Sequence, residues 1–371
     1  MSSLTLDVLR QYAINRTLFT SSTVPEALDR LGFVQIDPIT APATAQDLIL
    51  RHRVTGYRKG DVERAYPELA VEEAYFINHG YVSRELAAVL WSNKPLSASL
   101  QKMVEHEELM ARVLQFAHDH GGEVLPKALN AHMGSKSITN AWGGQGQEGT
   151  HIVQRMHASG LLRIVRREKG VRVYGLPVAA RVDVSAEVVV DAALDALVHV
   201  YAPLTQRSLT SMCRLLTSGR PDLKPAVQLA LRRLDERFKG AEVDGVRWYW
   251  PRAEEASTDG AGAMNDAVRM LAPFDPLVWD RDRFEQFFGW SYKFEAYKPS
   301  HARQLGYYAL PVLWRDACVG WANVSVADGV MSASLGYVKS KPREKAFRIA
   351  LERELADMAW FLGCTRWTVQ V

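Results

Sequence analysis

Helices that end at a glycine and lead directly into short strands recur along this chain of 371 residues, and this repeat constrains the fold more than any other feature. The clearest example is a predicted helix over 151–159 that ends at Gly160, because a left-handed glycine terminates helices readily. Strands over 161–165 and 171–174 follow and flank a charged turn. Helix, strand, turn and strand in this order are typical of a winged helix.

Related orders occur twice more along the chain, the first without a hairpin and the second as a looser match. Near the N-terminus, a helix that ends at Gly32 precedes a short strand over 33–37. Farther on, a helix over 225–238 precedes two strands joined by Asp244-Gly245, a dipeptide that favours tight hairpins. We therefore predict an α+β fold that contains tandem winged-helix domains.

Composition changes divide the rest of the chain. A glycine-rich loop at 143–147 and a small, polar linker at 254–263 separate the repeats from predicted strands over 307–314 and 318–326 and a long helix over 342–362. We predict four regions: a helical and winged-helix region at 1–122, a winged-helix unit with a basic hairpin at 123–180, another winged-helix unit at 183–253, and a C-terminal α/β domain at 264–371.

The composition excludes several classes of protein. The three cysteines lie far apart, which argues against a zinc ribbon and favours a reducing compartment. The first residues lack the apolar core of a secretory signal, and no apolar run reaches about 18 residues, so we predict a cytoplasmic protein with no membrane contact. Signatures of dinucleotide-binding, P-loop, zinc-protease and serine-hydrolase sites are missing, and we expect no cofactor and no metal.

The triplet Gln35-Ile36-Asp37 is the best candidate for catalysis. Because side chains alternate along a strand, Gln35 and Asp37 would point together into a cleft while Ile36 would face the core. A carboxylate can accept a proton from water or stabilise positive charge on a sugar, and a neighbouring amide can hold that water. The alternative is an exposed surface strand that reads polar, apolar, polar.

Basic residues concentrate at three places, although the net charge is only +3. They lie in the hairpin over 161–174, in the segment 51–59 and in the segment 232–239, which suggests one basic face. The residues that we predict to contact DNA are Arg51, Arg53, Arg163, Arg166, Arg167, Lys169 and Arg172. The alternative for the hairpin is a solvated turn.

Two stretches resemble the bacterial winged-helix DNA glycosylases of the YcaQ/AlkZ type, which unhook interstrand crosslinks. LGFVQIDPI, at 31–39, contains the Gln-apolar-Asp signature of that family. The more specific stretch is LAPFDPLVWDRDRFEQFFGWSYKFEAYKPSHARQLGYYALPVL, at 271–313. With gaps, the resemblance covers nearly the whole chain.

The resemblance implies tandem winged helices around a concave basic channel that binds duplex DNA. It also implies a monofunctional glycosylase that hydrolyses the N-glycosidic bond of alkylated purines, including crosslinked N7-alkylguanine, with Gln35 and Asp37 as the catalytic pair. The family's Tyr-Trp-x-His-Glu segment matches residues 75–80 in part, with Phe76 and Gly80 as departures, and we retain His79 as a neighbour of the site. We expect a monomer.

Two other hypotheses stay open. A winged-helix transcription regulator would bind DNA without catalysis, but it has no need of a carboxylate facing phosphates, which that carboxylate would repel. A catalytically inactive protein that only grips damaged DNA would share the same sequence features.

Overall fold

The computed structural model describes residues 4–93, 106–139, 145–178, 182–257 and 266–370. These residues form two compact units, which are described separately. The first unit comprises Met1–Val62, Leu194–Met212 and Leu231–Val371, and the second comprises Glu63–Ala193 and Cys213–Ala230. The part of the predicted linker at 258–263, and residues 143–144 of the predicted glycine-rich loop, lie outside the described residues.

Helices and short strands are interspersed along the described chain. In the first half they are α1 Leu6–Thr17, α2 Val24–Leu31, β1 Phe33–Gln35, α3 Ala45–Leu50, α4 Asp61–Ala65, β2 Val71–Tyr75, β3 His79–Ser83, α5 Arg84–Trp91, α6 His106–Asp119, β4 Glu123–Val124, α7 Pro126–Met133, β5 Ser137–Thr139, β6 Gln145–Gln147, α8 Glu148–Ala158, β7 Arg163–Glu168 and β8 Val171–Gly175. In the second half they are α9 Ala186–Tyr201, β9 Leu204–Thr205, α10 Gln206–Gly219, α11 Lys224–Leu231, α12 Leu234–Arg237, β10 Lys239–Val243, β11 Val246–Trp250, β12 Val268–Met270, α13 Pro276–Trp279, α14 Arg281–Phe288, β13 Leu310–Trp314, β14 Ala317–Ala327, β15 Val330–Tyr337, α15 Lys345–Phe361 and β16 Arg366–Gln370.

A five-stranded sheet organises the C-terminal part of the first unit. Its strand order is β12-β13-β14-β15-β16, antiparallel except for the β15–β16 pair, and α15 packs against it. Leu310, Val312, Met331 and Phe347 are almost completely buried between this sheet and the helix. Together with the helices elsewhere, this sheet confirms the predicted α+β class.

Two segments share one order of elements: a helix, a short strand, further helices, and a hairpin. In the second unit, α6, β4, α7 and α8 precede the β7–β8 hairpin, with an additional short hairpin, β5–β6, between α7 and α8, and β4 pairs with β8. Farther along the chain, α9, β9, α10, α11 and α12 precede the β10–β11 hairpin, and β9 pairs with β11. The short strands β4 and β9 are too brief to leave a periodic signal in the sequence.

The predicted glycine-terminated helices and hairpins are present, with shifted bounds. Gly160 has a φ of 70° directly after α8, and Asp244 and Gly245 turn the β10–β11 hairpin with φ values of 50° and 73°. The helix predicted over 225–238 is instead broken at Arg232-Arg233 into α11 and α12. The four predicted regions do not coincide with the two compact units, and the division into winged-helix domains stays a prediction.

No helix within the described residues combines the length and apolar composition that a membrane crossing requires.

Candidate active site

Gln35 and Asp37 lie where β1 ends in the first unit. Gly32, with a φ of 74°, terminates α2 and allows the chain to enter β1 immediately. Gln35 and Asp37 are each only 7% exposed, whereas Ile36 is partly exposed. The prediction that Ile36 faces the core is therefore wrong, and the polar side chains occupy the buried side. This arrangement also contradicts an exposed surface strand.

The amide of Gln35 has a defined orientation. Trp279 Nε1 donates a 2.8 Å hydrogen bond to Gln35 Oε1. Because an indole nitrogen only donates, the group that faces it must be the amide oxygen, and the NH₂ group of Gln35 points away from Trp279. The Trp279 hydrogen bond thus fixes the orientation of the Gln35 amide, two residues before Asp37 in the chain.

The Asp37 carboxylate is buried without a cationic partner. Its Oδ1 accepts a 2.9 Å hydrogen bond from the backbone N–H of Ile39, and within the described part of the chain Oδ2 accepts none. Burial raises the pKa of Asp37, and the Ile39 hydrogen bond opposes that effect only in part. The carboxylate is thus a stronger base than an exposed aspartate, and Oδ2 is available to a water molecule.

Four other buried carboxylates of this protein are neutralised by arginine. Glu72, Glu73, Asp275 and Glu354 are each at most 5% exposed, and each forms an ion pair with arginine. Pairing offsets the cost of taking a charge out of water. Asp47 and Asp280 are also buried without an ion pair in the described residues; Asp47 accepts hydrogen bonds from the Tyr57 hydroxyl and the Gly60 N–H, and Asp280 caps α14. Asp37 has no ion pair either, and burial raises its pKa, as expected of a group retained for chemistry.

Trp279 owes its position to a buried ion pair beneath α13. Asp275 caps this helix by accepting a hydrogen bond from Leu277 N, and Arg53 binds both of its oxygens, at 2.8 and 3.0 Å. Arg53 and Asp275 are both 0% exposed. The pair therefore holds the helix whose Trp279 orients Gln35.

This geometry corrects the roles predicted for two arginines. Arg51 and Arg53 were expected to contact DNA phosphates, but Arg51 binds both oxygens of Glu354 at 2.9 and 3.2 Å and is 4% exposed at its side chain, and Arg53 is fully buried. Their partners lie about 220 to 300 residues away in the sequence. Counting charges within a short segment could not reveal this neutralisation.

The basic hairpin β7–β8 of the second unit is also largely neutralised. Arg163 binds Glu72, and Arg167 binds Glu73, with the second N–H of Arg167 at 2.8 Å from Glu73 Oε2. Both glutamates belong to β2, a strand about 90 residues earlier. Burial therefore leaves Arg163 and Arg167 poorly placed for the predicted DNA contacts.

The tip of the same hairpin is more accessible. Arg166 is 37% exposed and pairs with Glu123 and Glu168, and Arg172 is 35% exposed with its nearest glutamate oxygen 3.8 Å away. Lys169 is exposed at the turn, with a φ of 51°. Exposed ion pairs contribute little free energy, so phosphates could displace them.

His79 lies in the second unit, at the start of β3. Its ring centroid is 5.0 Å from that of Tyr75, and its Nε2 is 3.5 Å from Glu73 Oε2. Burial, with help from nearby Arg172 and His157, lowers the pKa of His79 to about 2. This imidazole is therefore neutral at physiological pH.

Comparison with known proteins identifies the family of this chain. The model of the family described as "DNA glycosylase AlkZ-like" matches residues 28–361. The chain belongs to the AlkZ-like DNA glycosylase family. The structure of Streptomyces sahachiroi DNA glycosylase AlkZ is similar to this one with a TM-score of 0.64 at 15% sequence identity, over 99% of each chain, which shows a shared fold.

One basic segment of this AlkZ-like glycosylase was not among the residues predicted to contact DNA. Five cations lie between β15 and the second turn of α15: Lys339, Lys341, Arg343, Lys345 and Arg348. All five are exposed, and in the described residues none of them forms an ion pair. The only acid among them, Glu344, binds Arg315 at 3.1 Å. The close spacing of these basic residues is visible in the sequence and could have indicated a DNA-binding segment. The segment lies outside the predicted winged-helix units, so it was not among the predicted DNA contacts.

Proposed function

We propose that this protein is a monofunctional DNA glycosylase that hydrolyses the N-glycosidic bond of alkylated purines. N7-alkylguanine, both as a single adduct and within an interstrand crosslink, is the proposed substrate. The observation that carries this proposal is the buried carboxylate of Asp37, which has no cationic partner in the described residues, two residues after the oriented amide of Gln35. Membership of the DNA glycosylase family supports the reaction class.

The proposed reaction needs a base more than it needs an acid. N7-alkylation places a positive charge on guanine, so the base leaves without prior protonation. Ionised Asp37 accepts a proton from a water molecule through Oδ2, and the Gln35 NH₂ group donates a hydrogen bond to the oxygen of that water. The carboxylate, still ionised, stabilises the positive charge that develops on the sugar as the neutral base leaves with the bonding electron pair, and it takes up the proton as the water oxygen bonds to C1′.

We assign DNA binding to the two helix-and-hairpin segments and to the exposed basic run. The order of α6 to β8 and that of α9 to β11 support winged helices, whose hairpins and helices can reach phosphates and grooves. The hairpin-tip cations Arg166, Lys169 and Arg172 are proposed to contact DNA phosphates. The basic run 339–348 is proposed to do the same. We expect the protein to act as a monomer.

Removing charge from the basic run should weaken binding to any duplex. A triple variant, K341Q/R343Q/K345Q, removes three of its exposed cations. If each contacts one phosphate, the negative slope of log affinity against log salt becomes shallower by roughly two to three. Fluorescence anisotropy over a salt series measures this slope.

Arg10→Gln is the control for this measurement, because Arg10 lies in α1, outside the assigned DNA-binding segments, and is already ion-paired with Asp7 and Asp316. We expect this control to keep the wild-type slope. A triple variant with the wild-type slope would place the phosphate contacts elsewhere on the surface.

The function itself is tested on a duplex that carries one N7-methylguanine. Incubation with the protein should produce an abasic site, which hot alkali converts into a strand break, and the unmodified duplex should stay intact. A second duplex with an N7-linked crosslink tests unhooking. No break above the spontaneous background with either substrate would reject the proposal.

The alternative is a winged-helix regulator that binds DNA without catalysis. This alternative predicts that the protein binds one DNA sequence tightly and forms no abasic site. The buried Asp37 disfavours it, since a regulator gains nothing from a carboxylate that lacks a counter-ion.

A further inference from the structure

Tyr308 has a buried hydroxyl that the fold leaves without a hydrogen bond. The residue is 3% exposed and lies just before β13, in the Gly-Tyr-Tyr part of the C-terminal motif. Its oxygen is inaccessible and makes no hydrogen bond with the described residues. Tyr57, Tyr66 and Tyr292, by contrast, donate hydrogen bonds of 2.7, 3.0 and 2.7 Å from their hydroxyls. An unsatisfied buried hydroxyl costs stability and is usually explained by function.

Aromatic contacts place Tyr308 next to the machinery that orients Gln35. The Tyr308 ring meets that of Phe294 edge-on, with centroids 5.3 Å apart, and Phe294 meets Phe274 at 5.1 Å. Phe274 directly precedes Asp275, the residue that caps the helix of Trp279. The orphaned hydroxyl thus belongs to the structural neighbourhood of the Gln35–Asp37 site.

Electrostatics connect this hydroxyl to Asp37 as well. Burial, and after it the Asp37 carboxylate, raise the pKa of Tyr308 well above its ordinary value, while Arg281 opposes this and Tyr292 and Tyr297 add to it. The hydroxyl therefore keeps its proton whenever Asp37 is ionised. Tyr308 is a permanent donor near a carboxylate that has an unoccupied oxygen.

We propose that Tyr308 is a positioning residue for Asp37: when DNA displaces solvent from the site, its hydroxyl donates a hydrogen bond to the Asp37 carboxylate. This inference rests on the proposed function. DNA binding removes the water that hydrates the carboxylate, which by itself would favour the protonated, inactive acid. A donor from the protein replaces that hydration and holds Asp37 ionised and oriented, and such bonds often tighten only in the complex with substrate.

Two groups contact Asp37 in the described structure: the Ile39 N–H bonds Oδ1, and the Gln46 side chain accepts a hydrogen bond from the Asp37 backbone N–H. Two tyrosines, Tyr297 and Tyr308, have pKa values that the Asp37 charge raises. Tyr297 is 79% exposed, so solvent competes for its hydroxyl. Tyr308 is the buried member of the pair and the better donor in a dehydrated site.

Tyr308→Phe tests the proposal, with Tyr337→Phe as the matched control. Tyr337 lies in β15, and its hydroxyl is also buried and unbonded, but Asp37 does not affect its pKa. In single-turnover excision of N7-methylguanine, Y308F should lose about ten- to a hundredfold in rate, because a hydrogen bond to a charged group is lost. The acid limb of its pH–rate profile should move to higher pH, while Y337F matches the wild type in both respects.

Stability and DNA affinity separate this role from a structural one. Y308F removes an unsatisfied polar group, so its Tm should equal or exceed that of the wild type, and its affinity for the duplex should not change. A wild-type rate and pH profile in Y308F would overturn the proposal. A rate loss that Y337F shares, or one that accompanies a lower Tm and weaker binding, would also overturn it.

An NMR titration tests the role of Tyr308 without an excision assay. The Asp37 carboxyl carbon is titrated by NMR in wild type and Y308F, each bound to a duplex with a tetrahydrofuran abasic analogue. A higher Asp37 pKa in Y308F supports the proposal, and equal pKa values reject it. Failure of the wild type on alkylated DNA would reject the proposed function alone.

Discussion

Asp37→Asn is expected to lower the single-turnover rate of N7-methylguanine release by about two to four orders of magnitude. Asparagine keeps the oxygen that accepts the Ile39 hydrogen bond, so the local structure should persist. It cannot accept a proton from water at neutral pH or stabilise positive charge on the sugar. Affinity for the duplex should stay the same or rise slightly, because the variant removes a negative charge.

The same variant should not destabilise the protein. Burial raises the pKa of Asp37 in the folded state above its ordinary value of 3.8, so its ionised form disfavours folding. A group with a raised folded pKa contributes stability at low pH, and that contribution is lost as pH rises through the folded pKa. At neutral pH the neutral asparagine should therefore give an equal or higher Tm, measured by calorimetry. Excision by D37N at the wild-type rate would remove Asp37 from the mechanism.

Arg53→Met is expected to destabilise the protein by about 3–5 kcal/mol, because it leaves Asp275 buried without its partner. Urea unfolding measures this loss as a lower midpoint. The change also frees the cap of α13, so Trp279 should hold Gln35 less well and the excision rate should fall in the fraction that remains folded.

Arg232→Met is the matched control for this prediction. Arg232 is exposed between α11 and α12, and its replacement should change stability by no more than about 0.5 kcal/mol. The salt dependence of DNA binding separates the two possible roles of Arg53. A stable R53M protein with a reduced salt slope would mean that Arg53 faces phosphates and that the buried pair does not support the fold.

Local signals in the sequence predicted the features that depend on local physics. Gly32 and Gly160 end helices through left-handed backbone, and Asp244-Gly245 turns its hairpin with two positive φ values.

Features that depend on distant residues were not predictable in this way. The surplus of positive charge on the β7–β8 hairpin is offset by Glu72 and Glu73, which no reading of the hairpin alone reveals. The side preference of Ile36 was misjudged because β1 has only three residues and ends before Asp37, so strand alternation does not govern the triplet. Asp275 caps α13 through a contact within its own segment, but its pairing with Arg53 requires the tertiary structure.

The pH dependence of the wild-type single-turnover rate tests most directly whether ionised Asp37 performs the base work. A single acid limb is predicted, with its midpoint above the ordinary range of an aspartate, because burial raises the pKa of this carboxyl group. Above that midpoint the rate should reach a plateau. A rate that stays constant as the pH falls through the titration of Asp37 would contradict the account.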